Sequence, residues 1–252
     1  MDAHPLVRLD IADGVATITL DSQHNRNALS RRLVAELGSC LDDAEASDAR
    51  VIVLRHDGPA FCSGADLKER AADDGPGDSS PMVAVMRRLM DSDRPTIAAV
   101  DGAVRAGGIG LMASCDLVVV RTDVTFALTE VRIGVAAAII SVPILRRVPA
   151  GKIAAAMLTG EPFTAASARD MGLATHVGDD VEGAVAQLCA GVLAGAPRAV
   201  AATKQLLHRV PGLDLDTAFD EMRSLSDQLF RGPDATEGMA AFREKRPPVW
   251  PS

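Results

Sequence analysis

Strand-length apolar runs recur along this chain with helix-forming stretches between them. Val51–His56 (VIVLRH), residues 96–102 (TIAAVDG) and residues 116–122 (DLVVVRT) read as strands. A helical stretch near residues 82–90 separates the first pair, and the glycine loop RAGGIG with a short helix separates the second. Strands alternating with helices specify an α/β fold. Ahead of them, VRLDIA and VATITL alternate around Asp13-Gly14, which supplies the positive backbone angles of a tight hairpin turn. Ser30 is placed to cap a helix whose Leu33, Leu37 and Leu41 share one buried face. From Gly151 onward helical periodicity dominates, with runs over 181–193, 198–208 and 216–230. The expected organisation is an α/β core over 1–195 and a helical region over 196–252. Within the core, the stretch AADDGPGDSSP reads as a mobile surface loop that could act as a lid.

Charge narrows the function. The 26 Lys and Arg against 34 Asp and Glu leave a net charge of -8, so no diffuse positive field draws the chain to nucleic acid or an anionic bilayer. Six Phe, one Trp and no Tyr are too few rings for a base-stacking surface. Cys40, Cys62, Cys115 and Cys189 form no C-x-x-C pair, which speaks against a zinc site or a disulfide framework and fits a reducing cytoplasm. MDAHPLVRLD has acids where a signal peptide has a basic and then an apolar stretch. The longest apolar run, residues 133–145, is bounded by Arg132 and Arg146 and falls short of the roughly 18 residues of a membrane span. A soluble cytoplasmic protein is expected.

Two small-residue segments, FCSGAD and RAGGIG, each end a strand. Gly107 would open a helix whose free N–H groups point forward, and Gly64-Ala65 carries no bulk. Together they read as an oxyanion hole, in which one donor is worth roughly 2.7–4 kcal/mol of barrier; each alone also reads as an ordinary tight turn. Residues 108–113 match the dinucleotide fingerprint G-x-G-x-x-A, although residues 102–106 intrude where that motif needs a tight turn. Glu130, ahead of the most apolar stretch, is expected to be partly desolvated, which suits proton transfer; a salt bridge to Arg132 or a capping role is the alternative. Ser63 lacks a nucleophile elbow and a nearby histidine, and the five histidines read as surface or satisfied residues.

These segments together resemble the crotonase, or enoyl-CoA hydratase/isomerase, superfamily over nearly the whole chain. VATITLDSQHNRNALS looks like its first strand and CoA-binding loop, FCSGADLKE like one oxyanion segment and VDGAVRAGGIGLMASCDLVVV like the other. LTGEPFTAASARDMGLATHV and AFREKRPP resemble its later helix-turn and C-terminal helix signatures. The resemblance implies a spiral of ββα units followed by a helical trimerisation region, assembled as trimers or hexamers. It implies that the N–H groups of Ala65 and Gly107 hold a thioester oxygen and that Glu130 moves a proton. It also implies that Arg26, Ala28, Asp66, Leu67 and Lys68 surround the CoA moiety, and that Phe242 and Lys245 cover CoA, often in a neighbouring subunit. No metal or redox cofactor is implied; coenzyme A is part of the substrate.

The departures bear on the reaction. The family's first of two catalytic glutamates falls on Gly110, and its Pro- and Gly-rich turn is replaced by Val135-Ala136-Ala137-Ala138. A single carboxylate suffices to move a proton between C2 and C4, as in Δ3,Δ2-enoyl-CoA isomerases. TEVRIGVAAAIIS is also similar to a branch, with glycine at that first position, that includes methylglutaconyl-CoA-type hydratases. The resemblance therefore implies a 2-enoyl-CoA hydratase, with the isomerase or a non-catalytic acyl-CoA-binding protein as alternatives. Hydration is favoured if Gly110 leaves room for a water opposite Glu130.

Overall fold

The computed structural model describes residues 4–72 and 77–250. Strands β1 (Val7–Ala12) and β2 (Val15–Leu20) form the expected hairpin, with Asp13 at φ 51° and Gly14 at φ 76° in its turn. Helix α1 (Arg31–Ala46) is capped by the Ser30 hydroxyl, which accepts from Leu33 N at 3.2 Å, and it buries Leu33, Leu37 and Leu41.

Three ββα units follow. The first comprises β3 (Val51–His56), β4 (Ala60–Cys62), α2 (Leu67–Ala72) and α3 (Ser80–Asp91). The second comprises β5 (Thr96–Val100), β6 (Ala103–Arg105) and α4 (Gly107–Ala113). The third has β7 (Leu117–Val120), β8 (Thr125–Ala127), a 3-10 turn over Glu130–Ile133, and helices α5 (Ala138–Arg147) and α6 (Ala150–Thr159). In each unit the first strand joins one sheet and the second joins another. The large sheet runs β1-β2-β3-β5-β7-β10, parallel from β2 onward, and the small one runs β4-β6-β8-β9. Here β9 is Phe163–Thr164 and β10 is His176–Val177, with α7 (Ala165–Met171) between them. This is the expected crotonase-like spiral.

Central strands β3, β5 and β7 of the large sheet are buried on both faces, which explains why they read as continuous apolar runs. Ile52, Leu54, Ala98, Val100, Val118 and Val120 face the main core, while Val51, Val53, Ile97, Ala99 and Val119 meet Val181, Val185 and Cys189 of α8 (Val181–Ala194). In the small sheet, Phe126 stacks on Phe163 with ring centres 5.2 Å apart.

The chain then closes with α9 (Pro197–Arg209), α10 (Leu215–Phe230) and α11 (Pro233–Glu244). Among the described residues no single helix is long and apolar enough to cross a membrane. Of the loop read over 71–81, the ends belong to α2 and α3, and residues 73–76 lie outside the described residues.

Two readings need correction. Residues 103–105 are strand β6 rather than an excursion, and α4 begins at Gly107, so residues 108–113 lie within the helix and the dinucleotide reading loses the glycine turn it needs. His56 is not fully satisfied: it is buried, its Nε2 accepts from Asp101 N at 3.1 Å, and its Nδ1 has no partner among the described residues.

The sole buried residue of α9 is Lys204. Its ammonium donates to the Leu89 and Arg94 carbonyls at 2.9 and 3.0 Å and to Asp116 Oδ2 at 2.9 Å, using all three protons. Burial works against the charge on Asp116, yet the bond from His208, the Lys204 ammonium and the Thr96 N–H hold its carboxyl below the usual range. That stability is present above about pH 4 and is lost as pH falls through the depressed value. Lys204→Met leaves the Asp116 charge buried and is expected to cost about 3–5 kcal/mol at neutral pH. Urea denaturation measures it, and a loss under about 1 kcal/mol would show that the latch carries no stability.

Candidate active site

Strands β4, β6 and β8 run parallel, so their carboxyl ends share one edge of the small sheet. Such an edge is where open α/β folds place ligands. Ser63-Gly64-Ala65 leaves β4, Ala106-Gly107 leaves β6, and Leu128-Thr129-Glu130 leaves β8. Ala106 N donates to Ala127 O at 2.9 Å, and Glu130 follows three residues later, within about 11 Å of extended chain. The three residues expected to carry chemistry therefore converge.

Absent side chains bring the first two loops together. A Cβ on Gly64, whose φ is +93°, would lie 2.9 Å from the Ala106 Cβ and 3.5 Å from Gly107 N. A Cβ on Gly107 would lie 3.7 Å from Ala65 N. Ala106 itself sits at φ 46°, a costly conformation for a residue with a side chain. Neither the Ala65 nor the Gly107 N–H donates to a described residue.

Cys62 and Gly108 form the seam beneath this pair. A Cβ on Gly108 would lie 2.7 Å from the Cys62 Cβ and 2.8 Å from its carbonyl oxygen. Burial pushes the Cys62 thiol up to about 12, so the sulfur is an inert acceptor, taking the Gly64 N–H at 3.4 Å. Sequence reasoning gave neither residue this packing role; the doubled glycine of RAGGIG was the available signal.

The 22–29 loop docks on the β4 exit. Arg26 and Asn27 both have left-handed backbone angles, φ 57° and 55°. Buried Asn27 holds this shape by accepting from Ser22 N and donating to the Asp57 and Ala60 carbonyls, at 2.7, 3.0 and 2.9 Å. Arg26 O accepts from Ser63 N at 3.1 Å, Leu29 N donates to Gly64 O at 2.8 Å, and Asn25 Nδ2 donates to Asp66 Oδ2 at 3.2 Å. Asp66 in turn accepts from Lys68 N at 3.0 Å at the start of α2. Arg26, Ala28, Asp66, Leu67 and Lys68 are thus gathered on one surface, with Arg26, Leu67 and Lys68 exposed. Ser63 Oγ donates to Asn25 O at 3.1 Å, which commits it to this docking and weakens a nucleophilic role. Phe242 and Lys245 stay apart: α11 packs on α10, and no hydrogen bond or ion pair among the described residues links either to the other site residues.

Glu130 opens the 3-10 turn that ends at Gly134. Its Oε2 is buried without a hydrogen-bond partner among the described residues. Burial pushes the carboxyl above its usual range, opposed by its own backbone N–H. The anticipated alternative of an Arg132–Glu130 pair does not occur, because Arg132 pairs with Glu161.

A model of the enoyl-CoA hydratase/isomerase family matches residues 10–252. The chain belongs to that family, the crotonase superfamily. It is 33% identical over 247 residues to human "Enoyl-CoA hydratase domain-containing protein 3, mitochondrial", covering 94% of this chain and 81% of that one. A Mycobacterium smegmatis enoyl-CoA hydratase structure superposes with a TM-score of 0.91 at 30% identity, covering 98% of this chain and 99% of that one. An enoyl-CoA hydratase structure from Mycobacterium avium is 42% identical, with a TM-score of 0.74 and coverage of 98% and 99%.

Gly110 does not meet the condition of open space that would favour hydration. A Cβ there would lie 2.5 Å from the Ile140 Cβ and 2.9 Å from Met86 Cε, so apolar side chains fill the position where this family's first glutamate would stand. Gly110→Glu is expected to overpack this contact, at about 1–3 kcal/mol, and to add no second acid. Calorimetry should show a lower Tm, shared by Gly110→Ala and relieved by adding Ile140→Ala. An unchanged Tm in both single variants would mean that Ile140 yields freely.

Proposed function

We propose that this chain adds water across the C2–C3 double bond of a 2-enoyl-CoA thioester, with Glu130 as the base. The observation that carries the reading is the buried, unpartnered Glu130 oxygen at the same strand edge as two unpartnered N–H groups. In this mechanism the thioester oxygen lies between the N–H groups of Ala65 and Gly107, which stabilise negative charge as it develops there. Glu130 takes a proton from water, the water oxygen bonds to C3, and the C2–C3 π electrons move into the enolate. The proton on Glu130 then passes to C2, so one molecule of water is added and the carboxylate is restored. The thioester and its donors make a metal or redox cofactor unnecessary.

Arg26 and Lys68 supply positive charge for the CoA phosphates, while Ala28, Asp66 and Leu67 shape the surface around them. A protein that only binds acyl-CoA has no use for a desolvated carboxylate, which favours catalysis over passive binding. The filled space at Gly110 favours one other reaction. With a single carboxylate in apolar surroundings, a proton moved from C4 to C2 isomerises 3-enoyl-CoA without needing a held water, which itself requires about two to four polar partners.

Wild-type protein given 2-enoyl-CoA and 3-enoyl-CoA separately, with products resolved by mass, decides the matter. Gain of water on the 2-enoyl substrate is the expected result; conversion of the 3-enoyl substrate at constant mass, with no hydration, replaces the reading by isomerisation. Glu130→Gln should slow either reaction by roughly 10²–10⁴.

The unlinked positions of Phe242 and Lys245 fit a homo-oligomer, trimer or hexamer, in which they reach a neighbouring copy. Helix α10 has no buried residue, and Leu215, Phe219 and Phe230 on it are exposed, as is Phe242 at 87%. Unpaired apolar surface of this kind marks an interface. Sedimentation at micromolar concentration should give a trimer or hexamer, and an active monomer would remove Phe242 and Lys245 from the site.

A further inference from the structure

The turn that carries Glu130 has no buried residue: Val131 is 40% and Ile133 58% exposed. Its own hydrogen bonds are local, Arg132 N to Thr129 O at 3.0 Å and Val135 N to Glu130 O at 3.1 Å. Neither apolar burial nor a sheet ladder fixes the turn against the core. A carboxylate that must meet a substrate carbon to within a fraction of an ångström needs another anchor.

Arg132 provides one. Its Nε donates to Thr159 O, the last residue of α6, at 3.0 Å, and its Nη2 bonds to Glu161. Between these acceptors lies Gly160, at φ +68°, where a Cβ would come within 2.9 Å of Arg132 Nε and 3.1 Å of Cδ and Cγ. The arginine stem therefore lies flat on a bare glycine, with its charge at the carbonyl end of a helix, where cations are favoured. Helix α6 is itself tied to the core through Ile153 and Ala156. The path from core to carboxylate runs through α6 and Arg132.

We propose that Arg132 is a positioning residue, its clamp on Thr159, Gly160 and Glu161 setting where the Glu130 carboxylate stands. The inference rests on Glu130 being the proton-transfer group. Other charges nearby are committed elsewhere or face solvent. Lys152 of α6 donates to Asp170 O at 2.9 Å, Arg147 of α5 to the Cys115 and Asp116 carbonyls, and Arg105 of β6 to Thr125, while Arg146 is exposed. Since burial is what holds the Glu130 carboxyl up, a turn that swings outward loses that shift.

Arg132→Met and Gly160→Ala are expected to lower kcat by roughly tenfold to a hundredfold, the scale of an ångström-sized misplacement, with KM little changed. The acid limb of the kcat profile should move to lower pH, because a re-solvated carboxylate stays ionised further into acid. Arg132→Lys, which keeps a donor for Thr159 O, should recover part of the loss. The deciding measurement needs no turnover: NMR titration of protein carrying 13C-carboxyl glutamate, with the Glu130 signal assigned by Glu130→Gln. In wild type this signal should titrate above the ordinary value of about 4.3 and in Arg132→Met close to it, with circular dichroism unchanged. Glu161→Gln, which removes only an exposed partner, should shift it less in the same direction and serves if the other variants fail to fold. An identical Glu130 titration in wild type and every folded variant overturns the clamp. A wild type that converts no enoyl-CoA refutes the proposed reaction instead, and the titration still judges Arg132.

Discussion

Backbone meets backbone where α4 crosses the end of β4, and the site depends on that contact. Helix and strand close to a separation at which Gly108 has no room for a Cβ against Cys62, and Gly64 has almost none against Ala106. Larger residues would pack elsewhere in this core at modest cost, because its apolar volume is shared among many side chains. Here there is nothing to share. The approach puts Ala65 N and Gly107 N side by side at the ends of adjacent parallel strands, outside any ladder that would use them. Two free donors are thus a by-product of how the second sheet ends, and the positive φ of Ala106 is part of the cost of turning the chain there.

What the amino-acid sequence discloses follows from how local each signal is. The Asp13-Gly14 hairpin, the Ser30 cap and strands β3, β5 and β7 are all written in neighbouring residues, and each forms as expected, whereas two-residue β10 falls where only helical periodicity was legible. The small sheet is different. Its strands β4, β6 and β8 have three residues each, too few for an alternation to register, and they exist because Val104 pairs with Phe126 and Cys62 with Val104. Residues 102–106, read as irregular, counted against the dinucleotide motif; the structure sets that motif aside on a different ground, that residues 108–113 lie inside α4. The same division runs through the site. Ala65 and Gly107 are visible as small residues in glycine-containing turns and Glu130 as an acid ahead of the most apolar stretch, whereas the Asn27 brace, the Cys62–Gly108 seam and the plug of Ile140 over Gly110 join residues some 30 or more positions apart. Phe242 and Lys245 rest on resemblance alone, since the single chain leaves them unlinked.

Two carboxylates show how the fold sets proton affinity by what it puts beside a buried oxygen. Asp116 is the more deeply buried, yet Lys204, His208 and Thr96 all donate to it, and its carboxyl stays below the usual range. Glu130 is only partly buried but one oxygen has no donor among the described residues, and its carboxyl rises. Burial acts in the same direction on both; the donors decide the sign. A fully satisfied group fastens α9 to the core, and the unsatisfied one retains its capacity to accept a proton.

That capacity makes the location of the nearest arginine a chemical matter. A guanidinium beside Glu130 would stabilise its charged form and erase the raised proton affinity. Arg132, two residues away, instead spends its donors on Thr159 and Glu161 at the end of α6. Residues two apart on a helical turn point to different sides, so the 3-10 geometry already separates the two side chains, and bare Gly160 gives the arginine somewhere else to lie. One turn of chain thereby does two things that pull against each other: it is held to the body of the protein by a charge, and it presents an acid whose charge no described residue compensates.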